Sequence, residues 1–196
     1  MLKRSLWIAA MALVILPGAA RADFLFTPYI GQVFGKDAKD REHAMYGASL
    51  AWMGGGIGGL EIDFGYSPNF FEPKNCPTCS SVTGTNNVVD LMFNGVVGAP
   101  IGGQKGVGFR PYALAGVGLL RQAVPGVTDA LKITTNDFGF DVGFGTYVFV
   151  SNHVGFRGDV RYFRSLQDSN QGTGNIPDFK VGNFDFWRWS AGVTFR

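Results

Sequence analysis

Apolar residues alternate with small or polar ones along most of the chain at a period of two, the spacing that puts successive side chains on opposite faces of a strand. Six runs show it most clearly. Tyr46, Ala48, Leu50 and Trp52 face one way and Gly47, Ser49 and Ala51 the other. Leu60, Ile62, Phe64 and Tyr66 oppose Glu61, Asp63 and Gly65, and Val89, Leu91, Phe93 and Val97 oppose Asp90, Met92 and Asn94. Phe138, Phe140, Val142 and Phe144 oppose Gly139, Asp141, Gly143 and Gly145. Val154, Phe156, Val160 and Tyr162 oppose Arg157, Asp159 and Arg161, and the last run sets Trp187, Trp189, Ala191, Val193 and Phe195 against Arg188, Ser190, Gly192 and Thr194. Two further strands, near 24 to 34 and 109 to 120, share a Pro-Tyr start (Pro28-Tyr29 and Pro111-Tyr112) and are apolar on both faces. Gln32 suggests that the even positions of the first point inward, but the pattern leaves the facing of both open.

The connections alternate in length. Segments 35–43, 67–87, 121–135 and 165–182 are long, 53–58 and 151–153 are short, and 98–108 is intermediate. Their Gly, Pro, Asn and charged residues are those of loops. Strands of about 9 to 11 residues with short turns at one end and long loops at the other are the layout of a transmembrane barrel. The fold predicted is an all-β, eight-stranded, antiparallel, up-and-down barrel spanning 23–196, with both ends in the periplasm and four surface loops outside.

Residues 1–22 stand apart. Lys3 and Arg4 precede an apolar run of 11 residues, Leu6 to Leu16, and then Pro17, Gly18 and Ala20-Arg21-Ala22. That is the layout of a secretory signal peptide, too short in its apolar part to span a membrane as a helix. Cleavage is expected between Ala22 and Asp23. Removing Lys3, Arg4 and Arg21 leaves 17 − 3 = 14 basic residues against 15 acidic ones, a net charge near −1. A near-neutral chain with dispersed charges gives no electrostatic reason to expect a nucleic-acid partner. Beyond the signal no apolar run is long enough for a helical span. The 29 glycines and the wealth of aromatics favour strands and turns.

The direction of the charges separates a membrane barrel from a soluble sandwich or lipocalin-like binding barrel. One face of each strand is large and apolar; the other carries glycines and charges. In an eight-stranded barrel the interior is filled by side chains. The inward set Glu61, Asp63, Asp90, Asp141, Arg157, Asp159, Arg161 and Arg188 is therefore expected to form a salt-bridged plug, because these charges would be costly to bury unpaired. Trp52, Phe109, Tyr112, Tyr147 and Phe195 are expected in an aromatic girdle at one membrane edge, and Phe34, Tyr46, Tyr66, Phe138, Tyr162 and Trp187 at the other.

The shared Pro-Tyr starts, the run from Val154 to Phe163 and the closing run from Trp187 to Phe195 resemble the small outer-membrane β-barrel family, typified by the barrel domain of outer-membrane protein A and by porin-family surface proteins. The likeness covers 23–196. It implies that Trp187, Trp189, Val193 and Phe195 serve as an assembly signal, with Arg196 after the terminal aromatic as a departure. It also implies outer-membrane lipid and lipopolysaccharide, the barrel assembly machinery and a surface or host ligand as partners, and a monomer.

Motifs for chemistry are sparse. Cys76-Pro77-Thr78-Cys79 lies in the longest predicted loop and reads as a structural disulfide of a secreted chain. Ser80 stands where c-type haem attachment needs His, a thioredoxin role lacks its strand-helix context, and zinc would need two more ligands. Gly54-Gly55-Gly56-Ile57-Gly58-Gly59 matches a dinucleotide fingerprint in letters only, because a strand follows it instead of a helix. Some barrels of this kind deacylate lipid A with a His-Ser pair facing the membrane. His43 falls in a predicted external loop and His153 in a predicted periplasmic turn, and neither has a serine two places on in a strand. The expectation is a non-enzymatic protein without metal or cofactor, with a structural, adhesive or ligand-interaction role.

Overall fold

The computed structural model describes residues 22–35, 43–55, 57–68, 87–102, 106–124, 133–166 and 185–196. They form eight strands: β1 (Ala22–Phe34), β2 (His43–Gly54), β3 (Gly58–Pro68), β4 (Asn87–Gly98), β5 (Gly108–Val124), β6 (Ile133–Phe149), β7 (Val154–Ser165) and β8 (Asp185–Phe195). Each pairs antiparallel with its neighbours in sequence, and β1 pairs with β8 to close the barrel. Closure matters chemically, since a strand edge in lipid would leave its backbone groups unsatisfied.

The register fixes which side chains look in. The large apolar residues of the six alternating runs lie on the outside, as do Phe24, Phe26 and Ile30 of β1 and Phe109, Val117 and Leu119 of β5. The even positions of β1 therefore point out, contrary to the suggestion of Gln32. Gln32 sits on the outer face because the indole Nε1 of Trp189 donates to its Oε1 at 3.2 Å, which satisfies the amide locally. Leu25, Thr27, Tyr29 and Val33 point in. In β5 the even positions point in, led by Arg110, Tyr112 and Leu114.

Two girdle assignments fail. Tyr112 and Tyr147 are buried in the lumen, whereas Trp52, Phe109 and Phe195 are on the outer surface. Tyr147 shares the parity of Asp141, Gly143 and Gly145 on β6, so the alternation itself directs it inward. At the other edge Phe34, Tyr46, Phe138 and Trp187 face out, with Phe34 stacked on Trp187 and Tyr46 tilted on Tyr66. The segment 121–135 is also not all loop, since β5 runs on to Val124 and β6 begins at Ile133. Arg121, Gln122, Thr134, Thr135 and Asn136 read as loop because they are polar, yet Arg121 pairs with Asn136 and Gln122 with Thr135 in the ladder. His43 is likewise not in a loop; it opens β2 opposite Val33 and is buried.

The interior is layered. At the end with the short turns, Leu25, Ala51, Met53, Val96, Tyr112, Leu114, Tyr147 and Phe149 pack into one apolar cluster. At the end with the long connections, Tyr29, Val33, Met45, Val88, Met92, Leu120, Phe163 and Phe186 form another. Glu61, Asp63, Asp90, Asp141, Arg157, Asp159, Arg161 and Arg188 lie between them.

Candidate functional site

The middle tier of the lumen is built from β3, β4, β6, β7 and β8. Arg157, Asp159 and Arg161 alternate on the inward face of β7, with Glu61 and Asp63 from β3, Asp90 from β4, Asp141 from β6 and Arg188 from β8 around them. All eight are buried; Asp63, Asp141 and Arg188 are 0 % exposed.

Each arginine bridges two or more carboxylates. Arg157 reaches Glu61 Oε2 through Nη1 at 2.5 Å and Asp159 Oδ2 through Nη2 at 3.0 Å. It also donates from Nε to the Tyr112 hydroxyl at 2.6 Å and from Nη1 to Ser49 Oγ at 2.7 Å. Its guanidinium lies 5.0 Å from the ring centroids of both Tyr112 and Tyr147. Arg161 joins Glu61 at 2.9 Å, Asp159 at 3.0 Å, Asp63 at 3.4 Å and Asp141 at 3.6 Å. Arg188 holds Asp63 at 2.6 Å and Asp90 at 2.8 Å and lies over the rings of Tyr29 and Phe163.

Hydroxyls and an amide complete the network. Tyr29 donates to Asp63 at 2.8 Å, Tyr112 to Asp159 at 2.9 Å, Ser190 to Asp159 at 2.6 Å and Asn94 Nδ2 to Glu61 Oε1 at 3.2 Å. Burying ions costs several kcal/mol each, and only such dense pairing offsets that cost. The tier therefore acts as a bolt: no arginine can leave its partners without stranding charge in a space closed by apolar clusters above and below.

Two tyrosines and a foot clasp are features that sequence reasoning missed. Tyr29 and Tyr112 lie on the two strands that are apolar on both faces, and only Arg110, at an even position of β5, carried a signal of facing. Arg110 and Arg196 share Asp23 Oδ2 at 3.2 and 3.3 Å beneath the barrel. Arg196 also sits 3.9 Å from the Phe149 ring centroid, and its backbone N–H donates to the His153 carbonyl at 2.9 Å. The residue that departs from a terminal aromatic thus ties β8 to the foot of β1. Above it Trp187, Trp189 and Phe195 form an outward stripe with Val193, and Phe195 stacks on Phe26 across the same seam. Cys76 and Cys79 lie outside the described residues, as does the signal segment up to Arg21. No helix among the described residues is long and apolar enough to cross a membrane, which says nothing about crossing by strands. Among them, no group of three or more His, Cys, Asp or Glu converges to hold a metal ion.

A closed eight-stranded barrel, apolar outside and ionic within, defines a class of protein built to stand in a membrane with its loops gathered at one end. The chain belongs to the outer membrane protein β-barrel domain family, whose profile matches residues 7–196. No curated protein sequence matches it. In structure it is similar to Neisserial surface protein A, at 14 % identity and a TM-score of 0.59, over 89 % of this chain and 98 % of that one. It is also similar to the N-terminal β-barrel domain of Pseudomonas aeruginosa OprF, at 14 % identity and a TM-score of 0.56, over 89 % and 98 %. A third likeness is to Ail, the attachment invasion locus protein of Yersinia pestis, at 13 % identity and a TM-score of 0.51, over 89 % and 96 %. At such identities the likeness is one of fold.

Proposed function

We propose that the chain is a non-enzymatic integral outer-membrane protein whose barrel anchors four surface loops, and that these carry a structural, adhesive or ligand-interaction role. The observation behind this reading is the division of labour between faces. Phe24, Ile30, Leu60, Phe93 and Phe144 are more than half exposed on the outside, an apolar surface suited to hydrocarbon. The lumen is filled from end to end, so the barrel offers anchorage and not a wide path.

The same reading places Asp23 at the mature N-terminus after signal cleavage, joins Cys76 to Cys79 in the second loop, and makes the outward stripe of β8 the signal to the assembly machinery. A lipid A-modifying role finds no support in the histidines, because His43 is buried and His153 lies in the short turn between β6 and β7.

Fractionation with protease shaving of intact cells tests the proposal. Cleavage confined to the four long connections, in protein that sediments with the outer membrane, is the expected result; a soluble periplasmic protein, or release of fatty acid from lipid A by the pure protein, would overturn it.

A further inference from the structure

The charged tier does not balance. Among the described residues it contains five carboxylates, Glu61, Asp63, Asp90, Asp141 and Asp159, and three guanidiniums, Arg157, Arg161 and Arg188. Four of the carboxylates accept close hydrogen bonds from arginine, tyrosine, serine or asparagine. Asp141 does not: among the described residues neither carboxylate oxygen has a hydrogen-bond partner, and its ion contact with Arg161 is the longest in the tier at 3.6 Å.

A second orphan acceptor stands in the same row. Asn94 is buried, and its Nδ2 donates to Glu61, an acceptor only, so the amide cannot turn over and its Oδ1 must face the other way. That Oδ1 also lacks a partner among the described residues, and it lies where a side chain on Gly116 would begin. Gly116 is the register partner of Asn94 on one side and of Asp141 on the other. Having no side chain, Gly116 makes room for the Asn94 oxygen between the amide and Asp141.

Asn94 and Asp141 stand on strands that flank β5, so their Cα atoms are roughly 10 Å apart, and a side chain from each can reach into the space between. Acceptors bridged by an oxygen-coordinated cation are roughly 4 to 5 Å apart, twice a metal–oxygen distance near 2.4 Å. A water molecule could donate to both groups, but it brings no charge to a tier short of positive charge.

We propose that a monovalent metal cation, sodium or potassium, binds between Asn94 Oδ1 and the Asp141 carboxylate over Gly116, sharing its remaining coordination with water. It is a structural counter-ion, sealed in by the apolar clusters on either side.

The test is to unfold the purified full-length protein and refold it in detergent in sodium, potassium or choline chloride at equal ionic strength. The temperature at which the folded band is lost should rise with sodium or potassium, by about 3 to 6 °C for each tenfold increase above the dissociation constant, and not with choline. Asp141→Asn removes the charge and puts an amide donor into the same space without changing its shape, so it should fold and lose the cation dependence. Crystals of wild type refolded in rubidium should show an anomalous peak between the two residues, absent in that variant. Equal melting in all three salts with no rubidium peak would overturn the proposal. So would stabilisation by falling pH without a response to sodium, which would mean that a proton on Asp141 supplies the charge.

Discussion

The outer and inner faces of this barrel are drawn from the same strands, yet they obey different rules. Outside, Phe64, Ile62 and Leu60 alternate with Asp63 and Glu61 of the same β3, and each meets a medium that accepts any apolar shape. Inside, Asp63 meets two arginines and a tyrosine at fixed distances, and a one-atom change leaves some partner unsatisfied. The outer face specifies a solvent; the inner face specifies particular side chains. Stability against substitution should therefore differ sharply between neighbours in sequence.

The largest effect is expected where both faces fail together. Deleting 187–196 removes Arg188 from the tier, the outward stripe from Trp187 to Phe195, and the partner that closes β1. Unpaired edges cannot enter lipid. The truncated protein should be degraded in the periplasm, and normal amounts in outer-membrane fractions would contradict the reading of β8. Next comes Arg157→Ala, which leaves Glu61 without its 2.5 Å partner and takes one cation from Asp159. Breaking a buried pair costs about 3 to 5 kcal/mol. For a chain of this size that corresponds to a melting temperature lower by about 6 to 20 °C on a gel-shift assay. An unchanged temperature would place Arg157 outside the stabilising network.

A charge on the other face tests the comparison from the outside. Ile62 faces out near the middle of β3, paired with Leu50 and Phe93. Ile62→Arg should destabilise the inserted barrel by about 2 to 4 kcal/mol, the cost of arginine at a bilayer midplane. Guanidinium titration of protein folded in phospholipid vesicles would measure it, and a cost near zero would mean that this face does not meet hydrocarbon.

How much of this was legible in the sequence follows from the same contrast. Strands such as β3, and β7 up to Phe163, carry charges on one side only and declare their facing, and their register brings Glu61, Asp63, Arg157, Asp159 and Arg161 to one lumen. Strands β1 and β5 did not, because the apolar clusters above and below the charged tier need apolar residues on the inner face as well. A lone polar residue then misleads: Gln32 suggested inward but is satisfied outside by Trp189. Tyrosine is ambiguous for a related reason, since its ring suits lipid while its hydroxyl suits a carboxylate, as Tyr112 shows with Asp159. The ends of β5 and β6 were lost to the opposite bias, polar residues beyond the apolar belt resembling loop. Which acid meets which arginine depends on barrel closure, with partners such as Arg188 and Asp63 separated by 125 positions, and no local pattern carries that.

Tyr112→Phe sharpens the difference without changing shape. It keeps the ring under Arg157 and removes only the hydroxyl that accepts from Arg157 Nε and donates to Asp159. Losing a buried group that serves a charge on each side should cost about 1 to 3 kcal/mol. Its melting temperature should fall by less than that of Arg157→Ala, and combining the two should cost less than their sum, because they share partners. Additive losses would show that the hydroxyl acts independently of the guanidinium.

The smallest effect should come from Ile62→Leu, and its smallness carries information. In a packed protein interior such a swap moves one methyl group and commonly costs up to about 1.5 kcal/mol, because rigid neighbours must give way. At Ile62 the neighbours are Leu50 and Phe93 along the sheet, and 45 % of the residue's surface is open to whatever surrounds the barrel. Lipid chains refill the shape at once, so the cost should be within a few tenths of a kcal/mol, beneath the resolution of a gel-based melt. Chemical denaturation in vesicles is sensitive enough to read it. A loss near 1.5 kcal/mol would mean that Ile62 packs against something with a fixed shape, a second protein or a second copy of the barrel, and the outer face of β3 would then have to be read as an interface instead of a solvent boundary.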